Sequence, residues 1–337
     1  MHDSSDRKPL IVLLGPTAVG KSRVAIPLAK SLGTDILTAD SRQVYRGMDI
    51  DMDKPTREER EGVPHRLIDL VEPEQSFNVG EYRRLASAEI ARLHEEKRVP
   101  LVVGGTGLYI RALTRGLWEG PPADWSYRHH LMDEARRDGA TALHQRLAQV
   151  DPELAQRLHP HDEVKIIRAL EAYRLLGRPL SEIHRDHAFH DRPFATLMIG
   201  LKRDRDALYR AIEARVDSQL VRGLIEETRR LLKAGYDRRL GSMKGLGYRQ
   251  LAGFLAGEYS YEEAIRRLKR DTRRFAKRQM TWFRKEPGII WVSVGEQASA
   301  DEVAARLLSL AQEFLVTGSL TGHKPLESVG APVAANG

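Results

Sequence analysis

The chain contains no cysteine. That removes disulfide frameworks, thiolate metal centres and cysteine nucleophiles together, so any chemistry must run on oxygen, nitrogen or a bound ion. No run approaches the ~20 consecutive apolar residues that a membrane-spanning helix needs, and Met1 to Lys8 is polar where a signal peptide would be apolar. A cytoplasmic protein without membrane contact is expected. Of the 337 residues, 41% are apolar and 30% charged, which excludes disorder, collagen and a coiled-coil rod as whole-chain readings. The length suits about two domains.

Net charge is only +7, but it is unevenly placed. Ten basic residues and a single acid, Asp271, fall between Arg266 and Lys285, a local charge of +9, so the rest of the chain sums to −2. One strongly basic segment on a nearly neutral protein is the electrostatic footprint of a polyanion partner, set against the plainer reading of a solvated helix face.

Leu10 to Leu14 is an apolar run ending in Gly15-Pro16, as expected of a strand buried on both faces, and a helix should follow from Lys21 to Leu32 with a distortion at Pro27. Asp35 to Ala39, Leu101 to Val103, Leu197 to Leu201 and Ile289 to Val294 supply further strands in the rhythm of a parallel α/β sheet. From Pro121 to Arg192 strand signals vanish and helical spacing takes over, as in Ile166, Ile167, Leu170 and Tyr173. The expected organisation is a P-loop-type parallel sheet flanked by helices over 1–120 and 193–317, an all-helical insertion over 121–192, and an unstructured tail over 318–337 rich in Gly, Pro, Ser and Ala. Eight of the twelve histidines lie in the insertion, but with no carboxylate pattern to match they read as scattered surface residues, not as a metal site.

Gly15-Pro16-Thr17-Ala18-Val19-Gly20-Lys21-Ser22 matches G-x-x-x-x-G-K-[ST] between a strand and a helix, the context of a phosphate-binding loop. Backbone N–H groups and the helix N-terminus face the anion, Lys21 neutralises it, and the Ser22 hydroxyl can ligate magnesium. Asp40 follows the second strand and should sit beside whatever Lys21 holds. Magnesium ligation, proton acceptance and helix capping are all open to it. The third strand ends Gly104-Gly105-Thr106-Gly107, glycine and a hydroxyl where a metal-binding Asp would suit ATP hydrolysis. That favours close approach of a ligand's backbone or phosphates.

With Pro64-His65-Arg66-Leu67-Ile68-Asp69, Asp162 to Glu171, Gly247-Tyr248-Arg249-Gln250 and Thr272 to Arg284, these motifs closely resemble the tRNA isopentenyltransferase family, the tRNA dimethylallyltransferases, over about residues 9 to 295. The resemblance implies a P-loop that holds the diphosphate of dimethylallyl diphosphate, and transfer of the prenyl group to the exocyclic amine of the adenosine 3′ of the anticodon in tRNA. It makes Asp40 the general base, places Thr106 beside the bridging oxygen of the diphosphate, gives Arg215 the leaving group and Ser22 the magnesium. The tRNA would be held by Asp40, Ser41, Arg42 and Gln43, by Val164, Lys165, Ile166, Ile167 and Arg168, by Gly247, Tyr248 and Arg249, and by Lys277, Arg278, Gln279, Trp282 and Arg284, with Arg128 near the substrate. Trp282 can equally stack on a base or belong to the core. A monomer is expected.

Two departures from the family pattern stand out. Asp51-Met52-Asp53 replaces the usual Gly-Thr-Ala and adds carboxylates near the expected RNA surface, and Arg66 follows His65 where a second His is common. Three rivals remain: a small-molecule kinase, an adenylate isopentenyltransferase acting on free nucleotide, and an RNA-binding module using the P-loop as an anion site. The basic segment and the long insertion argue against the second, and Asp40 against the third.

Overall fold

The computed structural model describes residues 7–118, 120–187, 191–318 and 326–329. Strands β1 (Pro9–Leu14), β2 (Ile36–Ala39), β3 (His65–Arg66), β4 (Leu101–Gly104), β5 (Ala195–Lys202), β6 (Ile289–Val294) and β7 (Leu326–Val329) form one parallel sheet in the order β3-β2-β4-β1-β5-β6-β7. The short apolar runs became strands because both faces are covered. Ile11 and Leu13 of β1 enter one core cluster with α1 (Lys21–Leu32), while Leu10, Val12 and Leu14 enter another with α2 (Val79–Glu95) and α3 (Gly107–Arg115).

Helix α1 follows Gly20 at φ 104° and stops at Gly33, φ 60°, whose N–H bonds the last-turn carbonyls. It runs unbroken through Pro27. The bond that Pro27 cannot make would have gone to the carbonyl of Arg23, an exposed residue, so solvent can replace it without a kink. Two strands escaped the sequence reading. β3 has two residues, too few for any periodicity, and β7 lies in the stretch expected to be unstructured. It adds to the free edge of β6, pairing Leu326 with Val292 and Val329 with Val294. The rest of that tail lies outside the described residues.

The chain divides into two compact units, one made of the segments up to Thr114 and from Arg192 onward, the other of Arg115–Asp191. The second unit contains α4 (Trp125–Asp138), α5 (Ala140–Val150), α6 (Pro152–Arg157), α7 (Glu163–Leu176) and α8 (Leu180–His187) around Leu131, Leu143, Leu147, Ile166 and Leu170. The first unit continues after β5 with α9 (Arg205–Val221), α10 (Leu224–Lys233), α11 (Leu246–Leu255) and α12 (Tyr261–Phe283), then closes with β6 and α13 (Ala300–Thr317). Among the described residues no helix is long and apolar enough to cross a membrane.

Buried charges fix the loops. Asp35, at the start of β2, is surrounded by Arg66, Arg92 and Arg98; burial opposes its charge, but the hydrogen bonds from these guanidinium groups hold its carboxyl below the usual range. Arg66 thus serves an internal ion pair. The ammonium of Lys54, also buried, donates to the Tyr45 carbonyl at 2.6 Å and to Asp49 and Asp69 at 2.9 and 2.5 Å, fastening the segment between β2 and β3. Glu227 of α10 accepts from the N–H groups of Asp49 and Ile50 at 3.1 and 3.0 Å and from the Tyr248 hydroxyl at 2.6 Å.

The ends of β2 and β4 lie so close that a Cβ on Gly104 would stand 2.1 Å from the Ala39 carbonyl oxygen. Backbone cannot yield as a side chain can. Gly104→Ala should therefore lower the unfolding free energy by at least the ~1–3 kcal/mol typical of overpacking. Urea unfolding of the two proteins checks this, and equal midpoints would refute it.

Candidate functional site

The loop from Gly15 to Gly20 leads into α1, whose first turn carries no acidic residue and no side-chain cap. Its N–H groups are left for an anion, and the helix dipole favours one. Lys21 opens that turn. Its ammonium donates back to the carbonyls of Gly15 and Pro16 at 2.9 and 2.8 Å, closing the loop on itself. Lys21 is packed deep among protein atoms although part of it is still reached from the cavity. Desolvation lowers its pKa to about 8; Asp40 and Asp53 oppose the shift and Arg215 adds to it.

Two further groups converge on the loop. Arg215 of α9 donates to the Thr17 hydroxyl at 2.8 Å and pairs with Asp53 at 3.2 Å, and Asp53 also reaches Arg222 at 3.4 Å. Asp53 stands in the left-handed region at φ 50°, a conformation Asp tolerates better than most residues. Gln279 of α12 accepts from the Thr17 N–H at 2.8 Å and donates to the Gly105 carbonyl at 2.9 Å.

Asp40 and Thr106 line the same cavity as the loop. One oxygen of Asp40 accepts from the Arg42 N–H at 2.8 Å, a local turn that fixes the carboxylate and leaves the other oxygen free of protein donors among the described residues. Thr106 donates its N–H to the Ala39 carbonyl at 3.1 Å and accepts at its hydroxyl from the Ser41 N–H at 3.0 Å. Thr17, Lys21, Asp40, Asp53, Thr106, Arg215 and Gln279 line one cavity of about 430 Å³, together with Ser22, Gln43 and Arg278 and the apolar residues Ile36, Met52, Val103, Leu268 and Phe275. Its size suits a small-molecule ligand, and its lining combines cations, carboxylates and hydrocarbon. Ser22 and Asp40 are hard oxygen donors on the same cavity, a set that fits magnesium held mainly by water and ligand phosphates. Among the described residues no group of three or more His, Asp or Glu could hold a metal ion unaided.

Several expectations are revised. The glycines of Gly104-Gly105-Thr106-Gly107 make room for the protein itself: a Cβ on Gly105 would lie 2.5 Å from Gln279 Nε2, and one on Gly107 would lie 2.2 Å from the Trp282 ring. Trp282 packs with the β4–α3 side of the core beneath the Arg111 guanidinium, 4.3 Å from its ring centre, so its face is not free for a base. Tyr248 is fully buried on Glu227, and Ile166 and Ile167 belong to the core of the helical unit; none of the three side chains can reach RNA. Arg128 and Arg168 both clamp the buried carboxylate of Glu171 at 2.8 and 2.7 Å. Val164 and Lys165 are exposed in that same unit. The Gly247 N–H donates to Asp51 at 2.8 Å, while Arg42 reaches the Gly241 carbonyl at 2.7 Å and Gln43 that of Met52 at 3.0 Å. Arg249 pairs with Asp271 at 3.2 Å.

The basic helix is less cationic than its composition. Its buried stripe is Ala264, Leu268, Thr272, Ala276, Gln279 and Phe283, with Ile265 and Phe275 only partly covered. Arg266 and Arg267 pair with Glu263, Lys269 with Asp217, Arg270 with Asp271 and Arg273 with Glu213. Lys277, Arg278, Arg284 and Lys285 are exposed and have no ion pair among the described residues. Asp51 and Asp53 line the P-loop cavity. The unusual Asp51-Met52-Asp53 run was visible in the sequence; its place beside Arg215 was not.

A parallel sheet whose first strand delivers a glycine-rich loop to a helix N-terminus defines a P-loop-type α/β phosphate-binding protein. The family model for IPP transferase matches residues 43–286, and the chain belongs to that family. It is 49% identical over 287 residues to the tRNA dimethylallyltransferase of Geobacter metallireducens, covering 85% of this chain and 93% of that one. The full-length tRNA isopentenylpyrophosphate transferase of Bacillus halodurans superposes with a TM-score of 0.70 at 38% identity, over 93% of this chain and 98% of that one. A eukaryotic dimethylallyltransferase acting on tRNA gives 0.78 at 25% identity, over 94% and 81%.

Because desolvation leaves Lys21 titrating near 8, its charge is complete below that pH and is lost above it. Diphosphate affinity of the free protein should fall between pH 7 and 9 relative to Lys21→Arg, whose guanidinium stays charged. Calorimetric titration of both proteins at several pH values measures this, and parallel profiles would disprove it.

Proposed function

We propose that the protein transfers the dimethylallyl group from dimethylallyl diphosphate to the exocyclic amine of the adenosine 3′-adjacent to the anticodon in tRNA. The carrying observation is that Lys21 and Arg215, the Asp40 carboxylate and a set of apolar side chains line one cavity. In this reading P-loop N–H groups, Lys21 and Arg215 receive the diphosphate as its allylic carbon–oxygen bond breaks, the charge-stabilising arrangement such a leaving group needs. The amine nitrogen forms the new bond to that carbon and gives its proton to Asp40, from which the proton passes to solvent. Thr106, held by Ser41 and Ala39, lies on the diphosphate side. Bound magnesium, with Ser22 within its reach, would add positive charge at the diphosphate.

The target base must leave its stack to enter the cavity. Lys277, Arg278 and Arg284 supply the phosphate-facing charge of α12, and exposed Val164 and Lys165 offer a second contact in the helical unit. The enzyme would work as a cytoplasmic monomer. A kinase would need its phosphoryl acceptor where this cavity has hydrocarbon, and a free-nucleotide prenyltransferase has no use for the unpaired cations of α12.

Incubation with unmodified tRNA, labelled dimethylallyl diphosphate and magnesium should place the label on that adenosine. Asp40→Asn keeps the acceptor for the Arg42 N–H, so it should hold tRNA within several-fold while slowing transfer by about a hundredfold or more. Full turnover by Asp40→Asn would remove the base assignment, and label on free nucleotide but not tRNA would favour the rival prenyltransferase.

Replacing Lys277 and Arg278 together should weaken tRNA binding and flatten its dependence on salt, since each lost phosphate contact releases fewer counterions. Thermal stability should hardly change, both side chains being exposed. Binding measured across a salt series decides the matter: an unaltered slope would mean that α12 faces something other than RNA.

A further inference from the structure

Gln279 occurs in the most basic stretch of the chain, between Arg278 and the Thr281-Trp282 pair, yet its amide is turned inward and only 9% of the residue is exposed. Both ends of that amide are committed. Oε1 accepts from the Thr17 N–H at 2.8 Å and Nε2 donates to the Gly105 carbonyl at 2.9 Å. Thr17 lies in the middle of the P-loop, and its hydroxyl takes the hydrogen bond from Arg215 at 2.8 Å. Gly105 immediately precedes Thr106. A single planar group therefore spans the two backbone segments that carry the groups assigned to the diphosphate, and it also satisfies a P-loop N–H.

The fit is close on every side. Gly105 has no space for a Cβ, which would meet Nε2 at 2.5 Å. One turn further along α12, Trp282 seals against Gly107, where a Cβ would lie 2.2 Å from its ring, so the helix is seated on the β4–α3 turn by two consecutive inward side chains. Lys277 and Arg278, on the same turn as Gln279, are exposed, Arg278 also lining the cavity.

We propose that Gln279 is a positioning residue for the diphosphate pocket, supplied by the helix whose outer surface is cationic, so that the P-loop and the Thr106 turn hold their spacing only while α12 is seated. This rests on the reading of the cavity as a prenyl diphosphate site. Gln279 acts on the donor and not as an RNA contact, although it lies in the most basic stretch of the chain.

The substitutions that test it are Gln279→Ala, which removes both bonds, and Gln279→Glu, which keeps size and one acceptor but sets a carboxylate against the Gly105 carbonyl. The probes are inorganic diphosphate with magnesium for the pocket and unmodified tRNA for the helix, with KM for dimethylallyl diphosphate and for tRNA measured separately and thermal midpoints recorded. Both variants should bind diphosphate about tenfold or more weakly and raise KM for the donor, the scale of losing one or two buried hydrogen bonds, with tRNA affinity and its salt slope within twofold of wild type. Weakened tRNA binding with donor KM unchanged would overturn the inference, as would a lowered thermal midpoint with both KM values unaltered. If the wild-type protein itself neither bound diphosphate nor prenylated tRNA, the reading of the cavity would fail, a result distinct from active wild type with indifferent Gln279 variants.

Discussion

The contact on which the site depends is the approach of two backbones where β2 and β4 end. With no side chain at Gly104, the chain there comes against the Ala39 carbonyl, and the next residues cross-link at once: Thr106 N–H to Ala39, Ser41 N–H to the Thr106 hydroxyl. Asp40 lies between the two partners of that seam. Its carboxylate and the Thr106 hydroxyl are thereby set by strand register and not by mobile loops, the situation in which a reacting geometry can be held tightly. Because β1 is the neighbour of β4, the P-loop is registered to the same edge.

Around this frame the charges are organised to leave few of them loose. Six of the ten cations in the basic segment are consumed by acids on α9 and α12 itself, and Lys21 is turned back on its own loop. What remains outward is a small group at the C-terminal end of α12. Net composition overstates the field a polyanion meets, because exposed pairs cancel at a distance even when each contributes little to stability.

Much of this was legible in the sequence, and what was not shares a cause. β1, β2, β4, β5 and β6 announce themselves because strands buried on both faces must be continuously apolar, and α1 because glycine marks both its ends. The P-loop is equally local. By contrast, β3 is too short to carry a pattern, and the bonds of Gln279 and Arg215 to Thr17 join residues 262 and 198 positions apart, which no spacing rule reaches. Three- and four-residue spacing puts Gln279 on the packed stripe of α12 with Leu268, Thr272 and Phe283, but spacing does not say which groups its amide will meet. The glycines after β4 were rightly taken as a place of close approach; the partner that approaches is the protein's own helix.

Lys54 carries a consequence of a different kind. Its amine is enclosed and all three of its protons are taken by Tyr45, Asp49 and Asp69. An acylating reagent that finds the outward lysines of α12 within seconds would meet this one only during excursions that free the segment between β2 and β3. The same segment carries Asp51 and Asp53 into the cavity, so the slow chemical labelling of one lysine becomes a clock for how often the wall of the pocket opens.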